Sequence, residues 1–320
     1  MALLRVNADG GQVRLHGCPD RPIAPALRQA LAGLPPAAPI VVLVHGYRFT
    51  PWKPAHDPHT HIFAAGAPRP CWKARSWPAH LGFSECDPAD GLCIAFGWDA
   101  KAPIDALGLS AVHDRTPLVA GALARLLTLI ADMAPGRCVD LLAHSLGARV
   151  TLLAMAALRR PVIGRTILMA AAEYRSGARA ALANPALAAA EVVNVTSREN
   201  DLFDFLFQAA IVPPRPGDVP LGQGLTGRPA RWIDLPIDCP ATLAALAREG
   251  MAIAPRRRRA CHWSFYLRPG IFDLYRALIR DRGAWPAARL RALIAGPACR
   301  LPAEATDLPV FVPLPTARAS

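Results

Sequence analysis

The stretch Val139-Asp140-Leu141-Leu142-Ala143-His144-Ser145-Leu146-Gly147-Ala148 constrains this chain more than any other. An apolar run ends in a serine flanked by small residues, and a second apolar run of helical character follows. That is the pattern of a chain turning sharply from strand into helix with the serine at the apex. Such a turn leaves no room for large side chains two positions before or after its apex, and Ala143 and Gly147 fill those positions. Alanine stands where the strict pattern has glycine, a departure of a single methyl group. The turn pushes the Ser145 hydroxyl outward. It also aims the backbone N–H of Leu146, at the helix start, toward the atom the serine attacks. Ser145 is therefore the candidate nucleophile.

A serine in this position is inert without a base. His262 is the sole histidine after Ser145 and lies in Ala260-Cys261-His262-Trp263-Ser264-Phe265. It is the candidate general base. An acid that orients it is expected between the two, on a loop leaving a strand. Residues 191–197 read as a short buried strand and run into Arg198-Glu199-Asn200-Asp201-Leu202-Phe203-Asp204. Asp201 is the first candidate, followed by Glu199 and Asp204; Glu173, after the strand at 165–170, is a further one. Upstream, residues 39–47 form a nearly continuous apolar run ending in His45-Gly46-Tyr47, as expected of a strand buried on both faces of a parallel sheet. Gly46 permits close approach of the backbone. The N–H of Tyr47 is expected to join that of Leu146 as an oxyanion hole, with His45 holding the loop by hydrogen bonds. Losing one such donor typically costs about 3–4 kcal/mol of transition-state stabilisation. Phe49, Trp98, Phe203 and Trp263 are the candidate walls of a substrate pocket.

These residues resemble the α/β-hydrolase superfamily. Within it, Ala143-His144-Ser145-Leu146-Gly147 and His45-Gly46-Tyr47 together are similar to bacterial esterase- and lipase-like proteins. Phe96-Gly97-Trp98 fits the aromatic strand end that such proteins carry. The resemblance spans about residues 38–270. It implies an α/β fold with a mostly parallel central sheet and helices on both faces. It also implies a cofactor-free serine hydrolase with the order Ser145, Asp201, His262, cleaving a small-molecule carboxylic ester through an acyl-enzyme. The same residues would serve an acyltransferase, and a non-catalytic scaffold on this fold is the reading from a different class.

The 320 residues suffice for one large domain, expected over residues 1–300, with a Pro-rich tail at 301–320. The net charge of +12 invites a nucleic-acid partner, but no groove-reading motif or aromatic-interleaved basic patch accompanies it, so none is expected. The densest basic cluster, Arg256-Arg257-Arg258-Arg259, reads as a solvated loop and is compatible with peripheral contact with anionic lipid. The eight cysteines are dispersed without a Cys-x-x-Cys, the start lacks a signal-peptide pattern, and no transmembrane segment is expected. These features predict a cytoplasmic protein with reduced thiols. Residues 48–91, rich in Pro, His and Trp, read as an elaborated loop beside the oxyanion strand, where a lid or pocket wall would sit. Its His56, Asp57, His59 and His61 match no strong zinc spacing, so no metal is expected. Residues 209–229 form a Pro/Gly-rich loop expected to shape the pocket. A hairpin over 1–20 and strands at 92–98 and 231–238 are predicted. Helices are predicted over 23–33, around 76–83, and over 114–133, 146–159 and 269–294.

Overall fold

The computed structural model describes residues 2–66, 71–84, 87–227 and 229–294. The apolar runs of the sequence become strands β1 (Leu3–Asp9), β2 (Gln12–Leu15), β3 (Ile40–Val44), β4 (Leu92–Gly97), β5 (Val139–His144), β6 (Ile163–Met169), β7 (Glu191–Thr196) and β8 (Trp232–Pro236). They form one sheet in the order β2-β1-β4-β3-β5-β6-β7-β8. Only the β1–β2 hairpin is antiparallel within it. Strands β3, β4 and β5 are buried along their whole length because helices cover both faces. Their side chains alternate between two cores: Ile40, Val42 and Val44 enter one, Val41 and Leu43 the other. Each such side chain contributes about 1.5–3 kcal/mol of burial.

The helices are α1 (Ile23–Ala32), α2 (Trp77–His80), α3 (Ala106–Met133), α4 (Leu146–Ala156), α5 (Arg175–Leu182), α6 (Asp201–Ala210), α7 (Pro240–Arg248), α8 (Ser264–Leu267), α9 (Ile271–Arg280) and α10 (Ala287–Ile294). Residues of α1, α3, α4, α5 and α6 fill the first core, and those of α2, α7, α8, α9 and α10 the second. This is the expected α/β-hydrolase-like layering, with a mostly parallel sheet between two helical layers.

Helix α3 begins at Ala106 rather than at residue 114. Asp105 caps it by accepting a hydrogen bond from the Gly108 N–H at 2.6 Å. Leu107 in its first turn is exposed, so burial periodicity carried no signal there. With 28 residues, α3 is long and apolar enough to cross a bilayer, yet here Leu123, Leu126, Leu127 and Ile130 are buried in the first core. Helix α4 stops at Ala156, short of residue 159. Residues 48–91 hold short 3-10 turns at Pro54–His56, Pro58–Thr60 and Pro88–Asp90 besides α2. The predicted tail at 301–320, Cys86 and Cys299 lie outside the described residues.

The strand order reverses at β3: the chain places β4 on one side of it and then, through α3, β5 on the other. In such sheets a crevice opens beyond the carboxyl ends of the strands at the reversal. Gly46 and Tyr47 follow β3 there, and Ser145 follows β5.

Below the sheet's second face, Arg165 of β6 is fully buried. Its guanidinium donates to the carbonyls of Leu278 and Trp285, each at 2.6 Å, and to the Glu191 carboxylate at 3.0 Å. It thereby fastens the C-terminal helices to the sheet. Arg165→Met is expected to destabilise the fold by about 3–5 kcal/mol, measured by urea denaturation, because the partners remain and lose their donor.

Candidate active site

Ser145 joins β5 to α4 with φ 56° and ψ −126°, a left-handed backbone that side chains rarely adopt. Such a residue costs about 1–3 kcal/mol and persists only where its surroundings fix it. Here the Ser145 N–H donates to the Met169 carbonyl at 3.0 Å, and its own carbonyl accepts from Ala148 at 2.9 Å and Ala172 at 3.2 Å. The segments around it are in near contact. A Cβ on Gly147 would lie 2.5 Å from the His45 carbonyl oxygen, and one on Gly46 would lie 2.6 Å from Ser145 Cβ. The two glycines are what let the β3 loop meet the β5 turn.

His45 fixes that loop. Its Nδ1–H donates to the Gly46 carbonyl at 2.9 Å, and its Nε2 accepts from the Trp98 N–H at 3.0 Å. The Trp98 indole N–H in turn donates to the His45 carbonyl at 2.8 Å. Burial pushes the His45 pKa down to about 3, so the ring is neutral and the tautomer follows from its partners. A trans peptide points its C=O and N–H in opposite directions, so anchoring the Gly46 carbonyl also sets the direction of the Tyr47 N–H. The Tyr47 hydroxyl donates to the Pro103 carbonyl and holds the ring aside. Trp98, expected as a pocket wall, is instead 0% exposed: its two N–H groups are spent on His45, behind the loop. Phe49 is half-buried against the rings of His45 and His61, with centroids 5.4 and 5.2 Å away.

The elbow also grips the candidate base. His144, the residue before Ser145, donates from Nε2 to the His262 carbonyl at 3.0 Å, and the two rings lie 4.6 Å apart. Burial lowers the His144 pKa to about 4, so this strut is neutral too. His262 donates from Nδ1 to Asn200 Oδ1 at 2.6 Å. Burial, then His144 and Lys73, hold its pKa well below the ordinary histidine value. Phe203 stacks on the imidazole at 4.8 Å. Trp263 stands edge-on to it, with the Lys73 ammonium 3.3 Å from the indole centre and Trp72 beyond. Phe203 and Trp263 thus flank the candidate base.

The predicted acid does not join them. The Asp201 side chain is 64% exposed and pairs with Arg198 at 3.6 Å. It opens the first turn of α6 facing outward, and the preceding residue, Asn200, takes the inward direction to His262. Glu199 is buried in an ion pair with Arg268, and its carbonyl accepts from the Cys261 N–H at 2.8 Å, steadying the approach to His262. Glu173 is buried against Arg149 at 2.5 Å. Asp204 is buried and accepts from Asn200 Nδ2 at 2.9 Å. Sequence reasoning missed Asn200 and His144. An amide is not ionisable, so residue chemistry does not mark Asn200, and the turn motif assigns no task to His144.

Elsewhere, His16, Asp57 and His59 bring metal-ligating atoms within 4.8 Å of one another. Asn7 bridges the two imidazoles, at 2.8 Å to His59 Nε2 and 3.3 Å to His16 Nδ1, and Asp57 accepts from the His59 N–H at 2.9 Å. The cluster fastens the insert to β1. A cavity of about 570 Å³ opens between α3 and the end of α4, lined by Arg125, Leu129, Leu158 and Arg159. It sits at the opposite end of the sheet from Ser145.

A family model described as an alpha/beta hydrolase of unknown function (DUF900) matches residues 32–192, just over half of the chain. The match takes in the β3 loop and the Ser145 turn and ends before Asn200 and His262. No curated protein matches the chain.

Because His45 satisfies both a buried N–H and a buried carbonyl, His45→Ala is expected to lower stability by about 2–4 kcal/mol in urea denaturation. His45→Asn, which restores a donor and an acceptor on a shorter side chain, should recover part of that loss.

Proposed function

The chain belongs to this family of α/β hydrolases of unknown function, and from that premise we propose that it is a serine hydrolase acting on carboxylic esters. The observation that carries the reading is the strained Ser145 between β5 and α4, with the base His262 held against the neighbouring His144. Ser145 Oγ attacks the ester carbonyl. His262 Nε2, left with its lone pair because Nδ1–H is bound to Asn200, takes the hydroxyl proton. The oxyanion is received by the N–H groups of Leu146 and Tyr47. The alkoxide leaves with the proton from Nε2, and water repeats the sequence on the acyl-enzyme.

The low pKa of His262 keeps the base form populated at neutral pH. Asn200 supplies a partial rather than a full negative charge to the imidazolium, so in this reading it replaces Asp201 as the orienting group. Phe203 and Trp263 beside the base, and the exposed Leu202, Phe205 and Leu206 of α6, support an apolar acyl group.

A fluorescent fluorophosphonate is expected to label the wild type and leave Ser145→Ala unlabelled, with matching circular dichroism. Turnover of p-nitrophenyl esters should fall at least about a thousandfold in that variant. Labelling or turnover that survives Ser145→Ala would overturn the assignment, as would a folded wild type that never labels. Asn200→Ala is expected to lower kcat about a hundredfold with little change in KM, read on the best ester of a chain-length panel.

A further inference from the structure

One buried acid next to this site, Asp204, pairs with no arginine among the described residues. Asp204 lies in the first turn of α6, 7% exposed, and Asn200, 2% exposed, precedes that helix. A continuous line runs from His262 Nδ1 to Asn200 Oδ1 at 2.6 Å, and from Asn200 Nδ2 to Asp204 Oδ1 at 2.9 Å. From the Pro/Gly-rich loop, Gly222 backs onto the carboxylate so closely that a methyl group there would overlap it. On its own helix the charge acting on it is Asp201. Arg198 is engaged with Asp201 and Arg268 with Glu199.

An amide presents either its oxygen or its nitrogen to a neighbour, and what lies behind it decides which. An ionised carboxylate only accepts, so it takes Nδ2–H and turns Oδ1 toward the imidazole. That arrangement demands a proton on His262 Nδ1 and leaves Nε2 free for the serine. A protonated carboxyl can donate to Oδ1 instead. The amide then turns its NH2 to His262 Nδ1 and favours the Nε2–H tautomer, which cannot take a proton from Ser145.

We propose that Asp204 is a positioning residue: its ionised carboxylate, acting through Asn200, sets the tautomer of His262 and so gates the serine-histidine pair. The proposal rests on the hydrolase reading above for its activity readout, but not for its tautomer readout. Burial, then the Asp201 charge, push the Asp204 carboxyl up to about 7. The carboxylate is therefore present above that value and lost as pH falls through it. His262 itself protonates at lower pH.

The test has two readouts over about pH 5 to about pH 9. The first is kcat on a p-nitrophenyl ester; the second is the nitrogen-15 tautomer signature of His262, assigned by its absence in His262→Gln. In the wild type, kcat should fall about tenfold per pH unit below about 7, and the Nδ1–H signature should fade with it. Asp204→Asn does not titrate, so the acid limb at about 7 should vanish and the His262 tautomer ratio should stay constant with pH down to the His262 range. Asp201→Asn, which removes the like charge, should keep its activity and shift the limb down. It also serves as the second variant if Asp204→Asn does not fold. Unchanged limbs and signatures in these variants would overturn the proposal, as would loss of activity in Asp201→Asn at every pH. Absent turnover and labelling, with a His262 tautomer that still follows Asp204, would sink the hydrolase reading and uphold the positioning role.

Discussion

The backbone of Ser145 is the constraint on which the rest of the site depends. A left-handed serine is costly, and it stands because three segments are locked around it. The end of β6 takes its N–H through Met169, the start of α4 and Ala172 take its carbonyl, and the β3 loop closes over it at Gly46. Apart from the local bond from Ala148, none of these contacts is available to an isolated turn. They exist because β3, β5 and β6 are adjacent in one sheet whose two apolar cores fix the strand ends. The strain is local and its support is the whole fold.

Three histidines meet near this turn, and their surroundings assign them different work. His45 and His144 are buried, neutral and bonded to backbone carbonyls, so each acts as a strut. His262 has one nitrogen engaged by Asn200 and is partly exposed. Hydrogen-bond partners, not residue type, separate the two struts from the candidate base. The struts also couple the parts: His144 ties the serine turn to the base, and His45 ties the β3 loop to Trp98 at the end of β4.

Much of this was legible in the sequence because it is local. The small residues around Ser145, the apolar run into His45-Gly46-Tyr47 and the two-residue periodicity of the strands each follow from what a few adjacent positions must fit. Trp98 was misread because an aromatic at a strand end looks the same whether it faces a pocket or supports a loop. Only its partner, His45, distinant by 53 positions, decides. Asp201 was misread for a sharper reason. A one-residue change of phase at the start of α6 turns the charge outward and the amide inward, and residue chemistry points to the charge. The cluster of His16 with Asp57 and His59 joins a hairpin to a remote insert, and no spacing rule reaches across that distance.

The placement of buried acids shows how the fold tolerates charge. Asp140 faces Arg282, Glu173 faces Arg149 and Glu199 faces Arg268. A buried carboxylate without a cation is penalised by desolvation, so pairing is the structural solution. Asp204 follows another course: an amide meets it in place of a cation, and burial, then the Asp201 charge, push its carboxyl up to about 7. A carboxylate placed directly on His262 would raise the basicity of the imidazole and favour the charged form before reaction. An amide placed there, with the acid one residue behind, orients the ring while leaving it weakly basic. Under the role proposed for Asp204, the candidate base is neutral over a wide pH range and its direction depends on a group that titrates. Strongly perturbed pKa values cluster at functional sites, and Asp204, which meets an amide where Asp140, Glu173 and Glu199 meet arginines, stands behind the candidate base.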